Sequence, residues 1–165
     1  MITGDNALTA AFIGQELKFG NGPSVFANSG PTNDTLIWKD IDDKQIAITK
    51  NHEEISKLSE KHMLCINGNV LDKIILTNTA GKSIRPMHVF SRTSPAQKGI
   101  IVGLLNIEGH KTLMCGDGTN DVGSLKRADV GLAVVNNREP TKEDKAKKKT
   151  MSPWVPKDQL VGKSW

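Results

Sequence analysis

Short apolar runs alternate with stretches of helical spacing in the second half of the chain, and this alternation restricts the fold more than any other feature. Residues 87–92 predict a strand, and residues 94–109 predict a helix with Ser94 as its cap and Pro95 at its first position. Residues 111–135 then continue as strand, helix and strand. Parallel strands need a crossover connection, usually a helix, so this order indicates an α/β fold built on a parallel sheet.

The first 82 residues are less regular. Their patterns predict a helix at 8–17, a turn-rich loop at 20–35, a hairpin at 36–48, a polar helix capped by Asn51 at 51–62, and a second hairpin at 63–76 whose turn is Asn-Gly-Asn. We therefore divide the chain into the start of the α/β domain at 1–20, an insertion of β-hairpins and a polar helix at 21–82, the C-terminal half of the domain at 83–136, and a basic, disordered tail at 137–165.

Composition excludes several classes of protein. Of the net charge of +4, most lies in residues 138–150, which hold six basic and three acidic side chains, so a nucleic-acid surface spread over the fold is not expected. The two cysteines indicate a reducing compartment, and Cys115 is expected to be buried on its strand. The longest apolar run, at 100–107, is too short to form a transmembrane helix.

Two acidic residues and two glycines meet in Gly-Asp-Gly-Thr-Asn-Asp at 116–121, where a predicted strand ends and a helix begins. Thr119 is the predicted cap of that helix. Two further loops, at 3–6 and 94–98, also follow strands. Ligands bind at the carboxyl ends of the strands in an open parallel sheet, so we expect the three loops to lie together.

The contents of the three loops suit a phosphate and a magnesium ion. Asp117 and Asp121 supply the hard oxygen ligands that Mg²⁺ prefers, and Gly116 and Gly118 let the backbone approach a phosphate closely. The other groups that could bind the phosphate are the Lys98 ammonium, the Thr3 hydroxyl, the Gly4 backbone N–H and the Asn120 amide. Together they predict an electrostatic clamp for phosphoryl transfer.

Three stretches resemble the phosphorylation domain of a P-type ATPase, which has a haloacid-dehalogenase-like, Rossmann-type fold. They are Met-Ile-Thr-Gly-Asp-Asn at 1–6, Phe-Ser-Arg-Thr-Ser-Pro-Ala-Gln-Lys at 90–98, and the run 114–135 that contains Gly-Asp-Gly-Thr-Asn-Asp. The first and last stretches are most similar to type V, in its endoplasmic-reticulum subgroup. The resemblance covers residues 1–20 and 83–136, with weaker similarity between them.

The resemblance implies a role for each matching residue. Thr3 and Gly4 would contact the phosphate, Asp5 would support the nucleotide side, Lys98 would neutralise the phosphoryl group, Asp117 would be the main ligand of Mg²⁺, and Asn120 and Asp121 would hold the phosphate and the metal shell. It also implies Mg²⁺ as cofactor, ATP as substrate of a parent enzyme, and membrane transport driven by ATP hydrolysis. The parent's substrate would be a misplaced transmembrane helix or a cation.

One departure from the family changes the expectation for this chain. The family's nucleophile is the Asp of Asp-Lys-Thr-Gly-Thr, and none of the Asp-Lys pairs at 43–44, 72–73 and 144–145 continues in that way. The resemblance thus implies an incomplete sheet that lacks the nucleophile strand, and a fragment that is inactive alone. Its partners would be the parent's nucleotide-binding, actuator and membrane domains, at the cytosolic face of the endoplasmic reticulum.

Two other interpretations stay open. The chain could be a diverged, free-standing phosphatase of the same superfamily, although that requires a nucleophilic Asp at the end of a first strand. It could also be a non-catalytic binding module whose basic tail contacts acidic partners or lipid headgroups. The segment 21–82 is expected to be an insertion beside the catalytic sheet, with Asp42, Asp43 and Asp72 out of reach of the three loops.

Overall fold

The computed structural model describes residues 1–32 and 35–134, which form an α/β arrangement with two sheets. Its helices are α1 (Ala7–Glu16), α2 (His52–Ser59), α3 (Gly68–Ile74), α4 (Ala80–Ile84), α5 (Pro95–Ile107) and α6 (Val122–Arg127). Its strands are β1 (Ser24–Ser29), β2 (Leu36–Lys39), β3 (Gln45–Thr49), β4 (Met63–Asn67), β5 (Val89–Ser91), β6 (Leu113–Gly116) and β7 (Val130–Ala133). None of the helices in these ranges is long and apolar enough to span a membrane.

The larger sheet has the strand order β3-β2-β1-β4-β5 and is mixed. Strand β4 pairs in parallel with both β1 and β5, whereas β1–β2 and β2–β3 are antiparallel. A parallel bridge between Ile2 and Phe90 places the first residues of the chain beside β5. The predicted parallel pairing is thus present among β1, β4 and β5, and the predicted hairpin of β2 and β3 joins the same sheet through antiparallel pairing with β1.

The two faces of the larger sheet are covered by different helices, because successive side chains of a strand point to opposite faces. Leu64 and Ile66 of β4 join the main core, which α2, α3, α4 and α5 cover. Met63 and Cys65 face the other way and pack against Ala10 and Ala11 of α1. The main core also holds Trp38, which is fully buried and donates from its indole N–H to the Thr49 hydroxyl at 2.8 Å.

The smaller sheet consists of β6 and β7, paired in parallel from Leu113 opposite Val130 to Gly116 opposite Ala133. One face packs on α5 and α6 through a cluster of Val102, Met114 and Ala128. Ile2 also packs against this cluster, so α5 and the start of the chain bring the two sheets next to each other. The opposite face is open, with large exposed fractions for Leu113, Val130, Leu132 and Val134.

Two of the predicted elements are wrong. Residues 20–35 contain β1, a strand with neighbours on both sides, although Pro23 and Gly30 at its ends suggested a loop. Residues 63–76 form β4 followed by α3, because Asn67 caps a helix: its side chain accepts from the Val70 N–H at 3.0 Å. A strand and a helix thus replace the predicted hairpin.

The segment 21–82 does not stand beside the sheet. Four of the five strands of the larger sheet come from it, and one of them, β4, pairs directly with β5. The boundaries proposed at 20, 82 and 136 stay a prediction, and the predicted disordered tail at 137–165 lies outside the described residues.

The remaining predicted elements are confirmed within the described residues. They are the helix at 8–17, the hairpin at 36–48, the Asn51-capped helix at 51–62, and the strands and helices at 87–92, 94–109 and 111–135. Cys115 is a further correction, since it is exposed on the open face of the smaller sheet and not buried.

Candidate functional site

The first loop, at 3–6, leaves the sheet next to β5 and turns at once into α1. The Thr3 N–H donates to the Phe90 carbonyl at 2.8 Å, which continues the pairing with β5. The Thr3 hydroxyl donates to Asp5 Oδ2 at 2.7 Å, and Asn6 caps α1 by accepting from the Thr9 N–H at 2.9 Å. Asp5 is exposed, and Gly4 has open space around the position where a side chain would start.

The residues after β5 hold the first loop in place. The Thr93 hydroxyl and N–H both donate to the Thr3 carbonyl, at 2.8 and 3.1 Å, and the Arg92 N–H donates to the Asp5 carbonyl at 2.9 Å. Arg92 adopts φ 50°, a left-handed conformation that is uncommon for a residue with a side chain. The chain thus turns sharply after β5, and this turn carries the contacts to the first loop.

The second loop ends in a capping box at the start of α5. The Ser94 hydroxyl accepts from the Gln97 N–H, and the Gln97 side-chain oxygen accepts from the Ser94 N–H. Lys98 lies in the first turn of the helix, as predicted. Its ammonium is 2.7 Å from Asp121 Oδ1, and the two side chains are only 12% and 10% exposed.

The third loop follows β6, and its Asp121 carboxylate folds back over the glycines. A side-chain carbon at Gly116 would lie 2.7 Å from Asp121 Oδ2, and one at Gly118 would lie 3.8 Å from it. Asp117 and Asn120 are exposed. A single 3₁₀ turn, Thr119–Asp121, precedes α6.

The prediction that Thr119 caps the helix at 119–128 is wrong. Gly118 precedes the 3₁₀ turn, and no side chain caps either that turn or α6. The Ser124 hydroxyl instead donates to the Asp121 carbonyl at 2.8 Å within the first turn of α6. The Asp121 carboxylate is engaged by Lys98 and not by the helix start.

The structure joins the three loops in pairs. Hydrogen bonds tie the first loop to Arg92 and Thr93, the turn that leads into the second loop, and the Lys98–Asp121 ion pair ties the second loop to the third. A cavity of about 250 Å³ opens at the carboxyl ends of β1, β4 and β5, where Asn28, Asn67 and Ser91 line it. These contacts connect the loops in sequence, and the meeting of all three at one site stays a prediction.

The donor set suits Mg²⁺. The exposed Asp117 carboxylate and Asp121 Oδ2, beside Gly116, are hard oxygen ligands, and Mg²⁺ characteristically takes one or two carboxylates with water and phosphate completing its octahedron. In the described ranges no group of three or more His, Cys, Asp or Glu side chains could hold a metal ion. A cation here would accordingly take most of its ligands from water or a phosphate.

Sequence reasoning missed a fourth strand–helix junction at the same edge of the sheet. Asp72 of α3 accepts from the Gln97 side-chain amide at 2.6 Å, so it touches the second loop, contrary to prediction. The signal was present: Val70, Leu71 and Ile74 have helical spacing after Asn-Gly and are buried. Asp42 and Asp43 lie in the exposed turn between β2 and β3, where Lys39 pairs with Asp43, and Asp43 also lines the cavity at the carboxyl ends of β1, β4 and β5.

Known proteins resemble this chain over most of its length. The probable manganese-transporting ATPase PDR2 of Arabidopsis thaliana is 38% identical over 168 residues, covering 98% of the chain. Endoplasmic reticulum transmembrane helix translocases of Schizosaccharomyces pombe and Saccharomyces cerevisiae are 38% and 35% identical, each over 84% of the chain. The chain is homologous to the P-type ATPases.

The homology to P-type ATPases extends through the segment 21–82, because the alignment to the Arabidopsis protein leaves out only a few residues. The chain spans 14% of that relative's length and 12% of each of the two yeast translocases. No family model matches it.

Proposed function

We propose that this chain carries the magnesium and phosphate part of the phosphorylation site of a P-type ATPase, in a haloacid-dehalogenase-like domain. The buried Lys98–Asp121 ion pair is the observation that carries the proposal, because it joins a cation of the second loop to a carboxylate of the glycine-bearing third loop, and both loops follow strands. Homology to P-type ATPases supports it.

The chemistry of the site derives from the charges that meet there. The Lys98 ammonium has three donors, so it can keep its bond to Asp121 and also bind a phosphoryl oxygen. Thr3, Gly4 and Asn120 would add neutral donors, and Asp5 would orient the Thr3 hydroxyl that it already contacts.

Asp117 and Asp121 would hold Mg²⁺, while Gly116 and Gly118 leave room for the phosphate. When bound, Mg²⁺ supplies positive charge to the phosphoryl oxygens. The catalytic contribution of this chain's own residues would come from Lys98 and Asn120, which neutralise and orient the phosphoryl group. The nucleophilic Asp would come from a part of the parent that contains Asp-Lys-Thr-Gly-Thr, a sequence that this chain does not contain.

The parent would use ATP hydrolysis through an aspartyl-phosphate to drive transport in a membrane. The names of the relatives, a manganese transporter and transmembrane helix translocases of the endoplasmic reticulum, favour a type V enzyme of that membrane. This part would then lie at the cytosolic face, with the nucleotide-binding, actuator and membrane domains as its partners.

Titration of the ¹⁵N-labelled chain with MgCl₂ and inorganic phosphate, followed by NMR, tests the proposal. We expect Mg²⁺ to shift the amides of 116–121, and phosphate to shift those of 3–6 and 94–98 more strongly when Mg²⁺ is present. Asp117→Asn should abolish the Mg²⁺ shifts, whereas Asp42→Asn, which changes an exposed carboxylate in the β2–β3 turn, should not. Equal Mg²⁺ shifts in the two variants would overturn the assignment.

A further inference from the structure

The side chain of Gln97 connects α5 to α3 by hydrogen bonds that use both its amide oxygen and its amide nitrogen. Its oxygen accepts from the Ser94 N–H at 2.9 Å, while its amide nitrogen donates to the Gly68 carbonyl at 3.0 Å and to Asp72 Oδ1 at 2.6 Å. Gln97 is only 8% exposed, whereas Asp72 lies at the surface. The amide thus uses both of its N–H donors and its oxygen within a few residues of the candidate site.

Close packing makes this junction rigid. A side-chain carbon at Gly68 would lie 2.5 Å from the Arg92 carbonyl oxygen and 2.7 Å from the Gln97 side-chain oxygen. The start of α3 therefore lies directly against the turn after β5 and the first turn of α5. Only a residue without a side chain fits at Gly68, and its carbonyl is held by Gln97.

Lys98 depends on the position of that first turn. A lysine side chain has four rotatable bonds and loses much rotamer entropy when it is fixed, so a buried 2.7 Å contact with Asp121 requires a well-placed backbone. Gln97 is the neighbouring residue in the same turn, and the Ser94–Gln97 capping box sets where α5 begins. A change in the Gln97 junction would shift the point from which the Lys98 side chain starts.

We propose that Asp72 and Gln97 are positioning residues for Lys98: their hydrogen bond fixes the first turn of α5 so that the Lys98 ammonium meets Asp121 in the candidate site. The proposal makes α3, which sequence reasoning assigned to an insertion, a support of that site. It rests on the proposed function for what Lys98 does to a phosphate, but the geometry of the ion pair is tested separately.

The first test follows the Lys98 ammonium in the whole chain by ¹⁵N NMR, at low temperature and slightly acidic pH. A buried, ion-paired ammonium exchanges its protons slowly and gives a visible signal, which Asp121→Asn should remove and thereby assign. Gln97→Glu cannot donate to Asp72 and places two carboxylates together, so the Lys98 signal should be lost. Asp72→Ala should weaken it, and Asp72→Asn, which keeps an oxygen acceptor, should retain it.

The double variant Asp72→Asn with Gln97→Glu restores the hydrogen bond between positions 72 and 97 in the reverse direction, because the new amide can donate to the new carboxylate, while the Gly68 carbonyl stays without its donor. Partial recovery of the Lys98 signal relative to Gln97→Glu alone supports positioning. Gln45→Ala, which removes an exposed amide on β3, is the matched control and should leave the signal unchanged. A Lys98 signal that persists in folded Asp72→Ala, with only the melting temperature lowered, would show a merely structural role and overturn the proposal.

The second test uses a full-length ATPase that contains this segment. Asp72→Ala should lower the maximal rate of phosphoenzyme formation about tenfold with the KM for ATP unchanged. Asp72→Asn, which keeps an acceptor for Gln97, should keep the wild-type rate. An unchanged rate would overturn the positioning role. The two proposals fail separately: if Mg²⁺ and phosphate do not bind but the Lys98 signal responds as expected, the proposed function is wrong and the positioning of Lys98 by Asp72 and Gln97 stands.

Discussion

The two cysteines lie in opposite surroundings, although both are on strands of parallel pairs. Cys65 is 1% exposed beneath α1, and burial raises the pKa of its thiol to about 12. Cys115 is exposed. Because the thiolate is the reactive form, iodoacetamide at neutral pH should alkylate Cys115 and spare Cys65 until the chain is unfolded in urea. Mass spectrometry of the peptides measures this, and equal alkylation of both in the native chain would contradict the described packing of β4.

His88 makes stability depend on pH. Its ring nitrogen Nδ1 accepts from the Leu64 N–H at 3.1 Å, and burial lowers the pKa of the imidazole from its ordinary value of 6.5. The unfolded chain therefore takes up a proton at higher pH than the folded chain does. The free energy of unfolding that His88 contributes is fully present above about pH 6.5 and is lost as the pH falls through the lower, folded pKa.

Urea unfolding at several pH values between 5 and 7.5 measures this effect. The stability of the wild type should fall with decreasing pH, and His88→Asn should have a flatter pH profile because the titrating group is gone. His52→Asn, which alters a histidine at the start of α2, should keep the wild-type slope. A wild-type slope in His88→Asn would rule out His88 as the source.

Asp117 is the residue whose loss should damage the proposed chemistry most directly. In a full-length ATPase that contains this segment, Asp117→Asn should slow phosphoenzyme formation on the order of 10²-fold, because a lost metal ligand removes several kcal/mol of stabilisation of developing charge. Radiolabelled ATP and acid quenching measure the rate. Asp42→Asn and Asp144→Asn, the second of which changes a carboxylate in the predicted tail, should keep the wild-type rate of phosphoenzyme formation. A similar rate in all three variants would remove Asp117 from the site.

Among the elements, the Asn-Gly pair at 67–68 shows where a sequence pattern allows two structures. Asn-Gly between apolar runs is the strongest short signal for a hairpin, yet Asn is also a preferred helix cap. The residues after the pair decide between a hairpin turn and a helix cap. Val70, Leu71 and Ile74 are buried on one face of α3, and this spacing matches the 3.6-residue period of a helix and not the two-residue period of a strand. The predicted hairpin is therefore wrong, and Asp72, which it separated from the site, lies on a helix that contacts the second loop.

Other elements were predictable because several signals agreed. Ser94, Pro95 and Gln97 give a cap, a first-turn proline and a capping box for α5, and all three are found. The position of Lys98 on that helix followed directly. Its partner did not, because the 2.7 Å contact with Asp121 depends on how α5 packs against the third loop, which spacing along the chain does not encode.

A helix cap at Asn67 has a measurable consequence that a hairpin turn would not have. Asn67→Ala removes the acceptor for the Val70 N–H and should lower the free energy of unfolding by about 1 kcal/mol. Asn69→Ala changes an exposed asparagine inside α3 and should have little effect or stabilise the chain slightly, since alanine favours helices. Denaturant unfolding compares the two, and an equal loss in both variants would contradict the cap.

At the scale of the whole molecule, the described residues form two sheets that share helix α5 but have no strand pairing with each other. The side chains of α5 enter both cores, Ile101 under the larger sheet and Val102 under the smaller one. Ile2, on the outer edge of the larger sheet, packs against the Val102 cluster. We propose, from the resemblance to P-type ATPases, that the parent's nucleophile strand would lie between Ile2 and β6.

On its side away from β7, strand β6 has backbone groups without strand partners among the described residues. Val130 and Val134 donate to the carbonyls of Thr112 and Gly116, so alternate residues of β6 face β7, and Leu113 and Cys115 direct their backbone groups to the other edge. Strand β4, by contrast, has a neighbour on each side. An open strand edge is a template for another strand.

Hydrogen exchange should therefore distinguish the two sheets. Amides of β4 should be strongly protected in the isolated chain, whereas those of Leu113 and Cys115 should exchange quickly. A peptide that contains Asp-Lys-Thr-Gly-Thr and the apolar residues before it should slow exchange at both positions by about fivefold or more, since each backbone hydrogen bond gained contributes about 1 kcal/mol. A scrambled peptide of equal composition is the control. Strong protection of both amides without any peptide, unchanged when it is added, would mean that the chain closes its own sheet and that no strand fits between Ile2 and β6.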